Sequence, residues 1–533
     1  MPAPSIFGFN AERASIVDEV VARVASETSD PLLALNDAAF HEIRRLEAKT
    51  GDEHEALSRF RRLARSVGKM GEAQRREELR ELARECAWDV AGNFDPRVYQ
   101  FSSRVVPTLI SSLISPRETL RDLGGDRAVR RHVVVQGPAA EIRTLAELGT
   151  LLFVPTHLSN FDSIVFGYGL QREGLPPATY GAGKNLFTNP LLSFFMHNLG
   201  AYQVDRRLKY GLYKAVLKAY SCVLIERGYH SLFFPGGTRS RSGAVEEKLK
   251  LGLAGTGLEA FVRAAQRGES RRVFFVPATI NYLLTLEART LIDDFLAEVG
   301  KSRYIIEDDE STQARRVLTL VRKLLLTDGS IVLRFCPPLD PFGNRVAPDG
   351  RSLDPRGRAV DPLSYVLKGG EPALDPARDA QYTRELGEAI ARSYARNVVI
   401  LSTHLVAAAA FARLRAAFPR EDLFAALRHR DEVRLTRAEL VSDLDALREK
   451  AKALEDQGRL VLGPGLREKS AAALVDEAVR AWNGYHSYPV LAQEGDGITV
   501  ADTNLLLYYQ DRLAASGLGY KVGATRAAAG GAA

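Results

Sequence analysis

Two short segments hold residues able to do chemistry on a hydroxyl. In Thr156-His157-Leu158-Ser159-Asn160-Phe161-Asp162 an imidazole and a carboxylate stand five residues apart, just after the apolar run Leu151-Leu152-Phe153-Val154. In Phe233-Phe234-Pro235-Gly236-Gly237-Thr238-Arg239-Ser240-Arg241-Ser242-Gly243 two guanidinium groups alternate with hydroxyls after a second apolar run. A carboxylate bonded to one ring nitrogen fixes the tautomer of a histidine and leaves the other nitrogen to take a proton. His157 and Asp162 are therefore the candidate base and its orienting partner. Arginine forks match phosphate oxygens, so Arg239 and Arg241, with the hydroxyls of Thr238 and Ser240, are candidates for an anion site. Gly237 permits close backbone approach there. Together the segments point to chemistry on a hydroxyl of a phosphorylated small molecule.

Structural readings compete with these. Ser159 and Asp162 fit a capping box, which would explain the aspartate without catalysis. His157 alone is compatible with a satisfied structural histidine, and the second segment with a basic surface turn.

The elements needed to position these groups are a strand, a tight turn and a helix. On one continuous helix, a five-residue offset separates two side chains by roughly 140°. His157 is thus expected in the turn at the carboxyl end of a strand, where α/β sheets place ligands, with Asp162 in the first helical turn. Apolar or β-rich runs recur at Val133-Val134-Val135, Leu151 to Val154, Ala201 to Val204, Ser231 to Phe234, Val273 to Val276 and Ile331 to Phe335. Helical stretches such as Leu212 to Arg227 and Leu249 to Ala265 lie between several of them. The alternation predicts an α/β domain with a central sheet.

Helical spacing before this region predicts a helical N-terminal domain, and charged tracts such as Arg75-Arg76-Glu77-Glu78 read as solvated faces. The division expected is 1–125 helical, 126–336 α/β, 337–375 a Pro/Gly-rich loop or insertion, 376–522 helical and 523–533 a disordered tail. No internal repeat is evident.

Composition is that of an ordinary globular chain, with 46% hydrophobic and 26% charged residues among 533. A formal charge of +6, from 72 basic and 66 acidic side chains, is too mixed to indicate nucleic acid. It is compatible with an anionic substrate or an acidic lipid surface. Cys86, Cys222 and Cys336 lie far apart, so neither a disulfide framework nor structural zinc is expected, and a reducing compartment fits. The opening Met-Pro-Ala-Pro-Ser-Ile-Phe-Gly lacks the pattern of a secretory signal. The apolar stretch Val398 to Leu414 is interrupted by Ser402, Thr403, His404 and Arg413, and reads as a buried helix rather than a membrane span. Any membrane contact is expected from one side. Gly181-Ala182-Gly183-Lys184-Asn185 departs from the Walker pattern, with Ala178 at the first glycine position and Asn185 after the lysine, so no ATP site is expected. No G-x-S-x-G elbow occurs, which leaves an acyl-serine hydrolase without support.

Four segments in order resemble the motifs of the glycerolipid acyltransferases. They are His157-x4-Asp162, Gly200-Ala201-Tyr202-Gln203-Val204-Asp205-Arg206, Phe234-Pro235-Gly236-Gly237-Thr238-Arg239-Ser240-Arg241, and Val276-Pro277-Ala278-Thr279-Ile280-Asn281-Tyr282. Gly181 to Leu186, Asn281-Tyr282 with Leu286-Glu287 and Gly300-Lys301, His404 to Ala408 and Leu505 to Tyr509 resemble the glycerol-3-phosphate and dihydroxyacetone-phosphate branch. Val204-Asp205-Arg206 is also similar to the 1-acylglycerol-3-phosphate acyltransferases.

The resemblance implies a central mixed sheet flanked by helices, with acyl transfer from acyl-CoA or acyl-carrier protein to glycerol 3-phosphate. The runner-up acceptor is 1-acylglycerol 3-phosphate. It implies His157 as general base, Asp162 as its partner, and Arg206, Arg239 and Arg241 on the acceptor's phosphate. Pro277 would shape the acyl or thioester site, with Lys184 and Arg207 as further candidates. Arg207 is equally compatible with phosphate contact and with solvent. No metal, bound cofactor or covalent acyl-enzyme is implied, and the location implied is the cytoplasmic face of a membrane, peripherally. Two other classes stand beside it: a non-catalytic lipid- or acyl-carrier-binding protein on the same fold, and a hydrolase using His157 as base on water. One departure stands out. The third motif usually reads Phe-Pro-Glu-Gly, and Gly236 occupies the glutamate position here, with Glu246 or Glu247 as candidate substitutes.

Overall fold

Gly149–Pro155 is buried along its whole length and forms a strand, as a continuous apolar run covered on both faces requires. In this computed structural model, which describes residues 6–48, 54–103, 127–184, 190–299, 330–483, 485–486 and 488–522, that strand lies inside a seven-stranded sheet. The strands are β1 (Val133–Gln136), β2 (Gly149–Pro155), β3 (Thr179–Gly183), β4 (Ala201–Val204), β5 (Ser231–Leu232), β6 (Arg272–Tyr282) and β7 (Ile331–Phe335), in spatial order β1-β7-β6-β2-β5-β3-β4. β6, β2, β5, β3 and β4 run parallel, whereas β7 pairs antiparallel with β6 and parallel with β1. The sheet is mixed and helix-flanked, as expected.

Helices Asp162–Arg172, Gly211–Glu226 and Ala254–Gln266 lie on connections between parallel strands, and Ala139–Leu148 joins β1 to β2. Helix Ala254–Gln266 lies so close to the sheet that a Cβ on Gly257 would come within 2.6 Å of the Phe275 ring and 2.9 Å of Leu152. Only glycine fits there.

The parallel direction has one consequence for function. The carboxyl ends of β2, β5, β3 and β4 share one edge, so the loops carrying His157, Arg239, Lys184 and Arg206 leave the sheet side by side. Leu152 and Phe153 of β2 pair with Ser231 and Leu232 of β5, and Phe233 N–H donates to the Phe153 carbonyl at 3.1 Å.

Several elements differ from expectation. Ser231–Phe234 shortens to a two-residue β5, and the helix expected from Leu249 begins at Ala254. Thr179–Gly183, which has few β-formers, is a strand held between β5 and β4. The segment 337–375 forms short antiparallel strands at Arg345–Val346, Ser352–Leu353 and Ala359–Val360, then Leu367–Lys368 with Glu371–Pro372. Beyond it, helices Pro376–Asn397, Ser402–Ala417, Arg437–Asp456 and Ala471–Trp482 are accompanied by a three-stranded antiparallel sheet of Arg434–Thr436, Gly497–Val500 and Leu491–Glu494. The tail 523–533, Asn185-Leu186 and Gly300-Lys301 lie outside the described residues. Among the described residues no helix is long and apolar enough to cross a membrane, and Ser402–Ala417 is the buried helix expected within 398–414.

Candidate functional site

β2 ends at Pro155 and the next helix begins at Asp162, so the six residues 156–161 turn across the carboxyl edge of the sheet. His157 Nδ1 lies 2.8 Å from Asp162 Oδ2. The same oxygen accepts from the backbone N–H groups of Leu158 and Ser159 at 2.6 and 2.9 Å. The other carboxylate oxygen, Oδ1, accepts from the Tyr282 hydroxyl at 2.7 Å. Only half of the expected capping box forms, because Ser159 Oγ donates to Glu287 and the helix is capped at Phe161 without a side-chain bond. Asp162 caps the turn through Ser159 N–H, and it holds the imidazole. With Nδ1 occupied, Nε2 is the ring nitrogen left for a substrate. Burial beside Asp162 raises the Tyr282 pKa well above its ordinary value, so its hydroxyl keeps the proton it donates.

Further contacts fix the histidine. Its ring stacks on Phe234 with centroids 4.2 Å apart. Its carbonyl accepts from Ser240 N–H at 2.7 Å, and its own N–H donates to Glu246 Oε1 at 2.7 Å. The loop after β5 thus grips the loop after β2 from both sides of residue 157. Glu287 adds a third tie. Fully buried, it accepts from Ser159 Oγ at 2.8 Å and Asn160 N–H at 3.1 Å, and it pairs with Arg239 at 3.2 Å.

The candidate anion ligands fall into distinct environments. Arg206 has no ion-pair or hydrogen-bond partner among the described residues, and the surrounding protein together with the nearby Arg239 charge lowers its pKa. Two guanidinium groups this close repel unless an anion joins them. Arg241 instead pairs with Glu298 on helix Ala288–Val299 at 2.6 Å. Ser240 Oγ donates to the Ala244 carbonyl at 2.8 Å and shapes the loop. Thr238 is exposed.

Gly237 takes φ +72°, and a Cβ there would strike Lys250 Cδ at 2.4 Å. The lysine stem therefore lies across the glycine, and a cation that sequence reading missed stands over the turn. Lys184 is paired with Asp89 at 2.6 Å. Arg207 chelates Asp205 through two bonds of 2.9 and 2.7 Å, an arrangement in which the Asp205 pKa is lowered by that pair. Pro277 is buried in β6 where its pairing passes from β2 to β7, and its carbonyl accepts from Cys336 N–H at 2.8 Å.

Tyr282, Glu287, Phe234 and Lys250 were not singled out as site residues by the motif spacing, whereas Glu246 was named only as a candidate substitute for the glutamate that Gly236 replaces. Tyr282 and Glu287 had a usable signal, a polar tip ending an apolar strand and an acid five residues later. Lys250 had none.

Residues 139–281 match the Acyltransferase family model. A glycerol-3-phosphate acyltransferase of Pseudomonas paraeruginosa is 29% identical over 211 residues, which is 39% of this chain and 24% of that protein. A protein of the same description from Pseudomonas fluorescens is 26% identical over 332 residues, 59% of this chain and 36% of that protein. The chain thus spans about a quarter to a third of the length of these relatives. A solved 1-acyl-sn-glycerophosphate (LPA) acyltransferase, PlsC, from Thermotoga maritima aligns at 17% identity over 46% of this chain and 83% of that one, with a TM-score of 0.23. The matched residues 139–281 carry the His157–Asp162 pair and the Arg206 and Arg239 loops.

Proposed function

We propose that the protein transfers a fatty acyl group from an acyl thioester, acyl-CoA or acyl-carrier protein, to a hydroxyl of glycerol 3-phosphate. One observation carries the reading: an imidazole held by a buried carboxylate opens at the same sheet edge as Arg206, a guanidinium with no anionic partner among the described residues. In this reading the acceptor's phosphate joins Arg206 to Arg239, with Lys250 over the adjoining turn. His157 Nε2 takes the proton of the hydroxyl as its oxygen attacks the thioester carbonyl. The C–S bond breaks, the proton passes from the imidazolium to the leaving thiolate, and Asp162 stabilises the cation between the two steps. Pro277 would border the thioester from β6. Arg241, already paired with Glu298, would contribute field rather than a direct phosphate contact, and Thr238 offers the free hydroxyl of the turn. Work on a lipid product from the cytoplasmic face of a membrane belongs to the same proposal.

The test is an acceptor panel of glycerol 3-phosphate, dihydroxyacetone phosphate and 1-acylglycerol 3-phosphate, with radiolabelled acyl-CoA and acyl-carrier protein as donors. The expected result is 1-acylglycerol 3-phosphate formed from glycerol 3-phosphate, with His157→Ala lowering kcat by on the order of 10²–10⁴. Thioester cleavage that ignores the acceptor would overturn transfer, full activity in the variant would overturn the assigned base, and preference for 1-acylglycerol 3-phosphate would move the acceptor.

A further inference from the structure

Glu246 is a buried carboxylate that the reaction just described does not use. Its Oε1 accepts the His157 backbone N–H at 2.7 Å, while its Oε2 is buried without a hydrogen-bond partner. A Cβ built on Gly236 would lie 3.2 Å from Oε1 and 3.3 Å from Cγ. The carboxylate thus fills the space that a side chain at position 236 would enter. Glu247, by contrast, pairs with Lys521 at the surface at 2.8 Å. A cation whose charge favours the ionised form of Glu246 is Arg512, a buried guanidinium whose Nη2 donates to the Ile280 carbonyl and Asn281 Oδ1 at 3.0 and 2.9 Å. Its Nε and Nη1 are also without partners.

We propose that Glu246 is a second carboxylate acting on His157, a positioning residue that holds the base's main chain and supplies from position 246 the negative group that Gly236 cannot carry. This rests on His157 being the base.

The electrostatics follow from what faces the imidazole. Asp162 and Glu246 are the carboxylates bonded to residue 157. Tyr282 donates to Asp162, Arg239 pairs with Glu287, and burial raises the pKa of the bordering Tyr508 and Tyr394. Arg512 is the cation coupled to both Glu246 and Asp162. Burial raises the Glu246 pKa, and the His157 N–H and Arg512 oppose that rise. An ionised Glu246 stabilises the imidazolium formed when His157 takes the proton of the substrate.

Glu246→Gln keeps an oxygen for the main-chain bond and removes the charge. In the full chain, kcat for acyl transfer to glycerol 3-phosphate is expected to fall about tenfold, while KM for glycerol 3-phosphate should stay within twofold. Gly236→Ala, which crowds the carboxylate rather than deleting it, is expected to lower kcat in the same direction and serves if Glu246→Gln unfolds. In Glu246→Ala, addition of Gly236→Glu should return kcat to within about tenfold of the wild type. An unchanged kcat in folded Glu246→Gln overturns the proposal. A wild-type chain that makes no acylated product overturns the acyl-transfer reading instead.

Discussion

At the scale of single residues, the site depends on Asp162 carrying charge as well as making bonds. Its two oxygens accept four hydrogen bonds, from His157, Leu158 and Ser159 on one side and Tyr282 on the other. Asparagine can reproduce that geometry, because its oxygen can face the backbone donors while its amide donates to the Tyr282 oxygen. What it cannot do is stabilise an imidazolium. Asp162→Asn is therefore expected to fold with a Tm close to that of the wild type while kcat falls on the order of 10²–10⁴. Steady-state kinetics and thermal unfolding on the same preparation check this, and a loss of Tm in proportion to activity would assign Asp162 to the turn alone. The contact legible in local spacing is that of His157 with Asp162, five positions apart within one motif. Tyr282 and Glu287 reach the turn from 120 and 128 residues away, and Glu246 from 89. No local spacing encodes such contacts, although the pair Glu246 and Glu247 was visible as a candidate once Gly236 was noticed.

At the scale of elements, the strand most directly legible is β2, buried along its whole length, because burial on both faces leaves a one-dimensional signature. β3 escaped since Tyr180-Gly181-Ala182-Gly183 has little side chain to show. A Cβ on Gly181 would lie 3.0 Å from the Tyr202 ring of β4, so the neighbouring strand supplies the bulk that the sequence of β3 lacks. Two histidines pin elements in a way that makes a pH prediction. His230 Nδ1 accepts the Leu151 N–H of β2 at 2.9 Å, and burial, with Arg271 nearby, pushes its pKa down to about 4. His404 Nδ1 accepts the Leu401 N–H at the start of helix Ser402–Ala417 at 3.1 Å, and burial, aided by Arg512, lowers it to about 3. Both are bases depressed in the fold, so their stabilisation is present above about pH 6.5 and is lost as pH falls toward those values. Between pH 6.5 and 5 they should together remove about 3 kcal/mol of stability. A variant with His230→Asn and His404→Asn keeps an acceptor at each site and should lack that slope. Urea unfolding midpoints across this range check the difference, and parallel curves would overturn the assignment.

At the scale of the whole molecule, the N-terminal helices Phe9–Glu27, Pro31–Glu47 and Glu72–Val90 share one core with helix Gly211–Glu226 of the α/β region, through Tyr213, Val216, Tyr220 and Val223. Glu226 is the electrostatic counterpart of that shared core. Nearly buried, it joins Arg23 of the first helix and Arg267 beyond helix Ala254–Gln266, each at 2.5 Å. Burial alone would raise its pKa, but the Arg23 bond and charge outweigh that and hold it below the ordinary carboxylate value. As a depressed acid it stabilises the fold at neutral pH, and this contribution is lost only as pH falls below about 4.5, under the window of His230. Removing the carboxylate leaves Arg23 buried without its main partner, which costs about 3 kcal/mol or more for a pair of this kind. Glu226→Ala is thus expected to lower the urea midpoint and Tm at pH 7, Glu226→Gln to fall between, and both to approach the wild type near pH 3. Glu226 precedes the amino end of β5, whereas Ser240 and Glu246, which tie His157, follow its carboxyl end, so kcat of the folded fraction should be retained. A loss of kcat without loss of stability would mean that the N-terminal helices shape the site directly, and an unchanged midpoint would mean that they dock without Glu226.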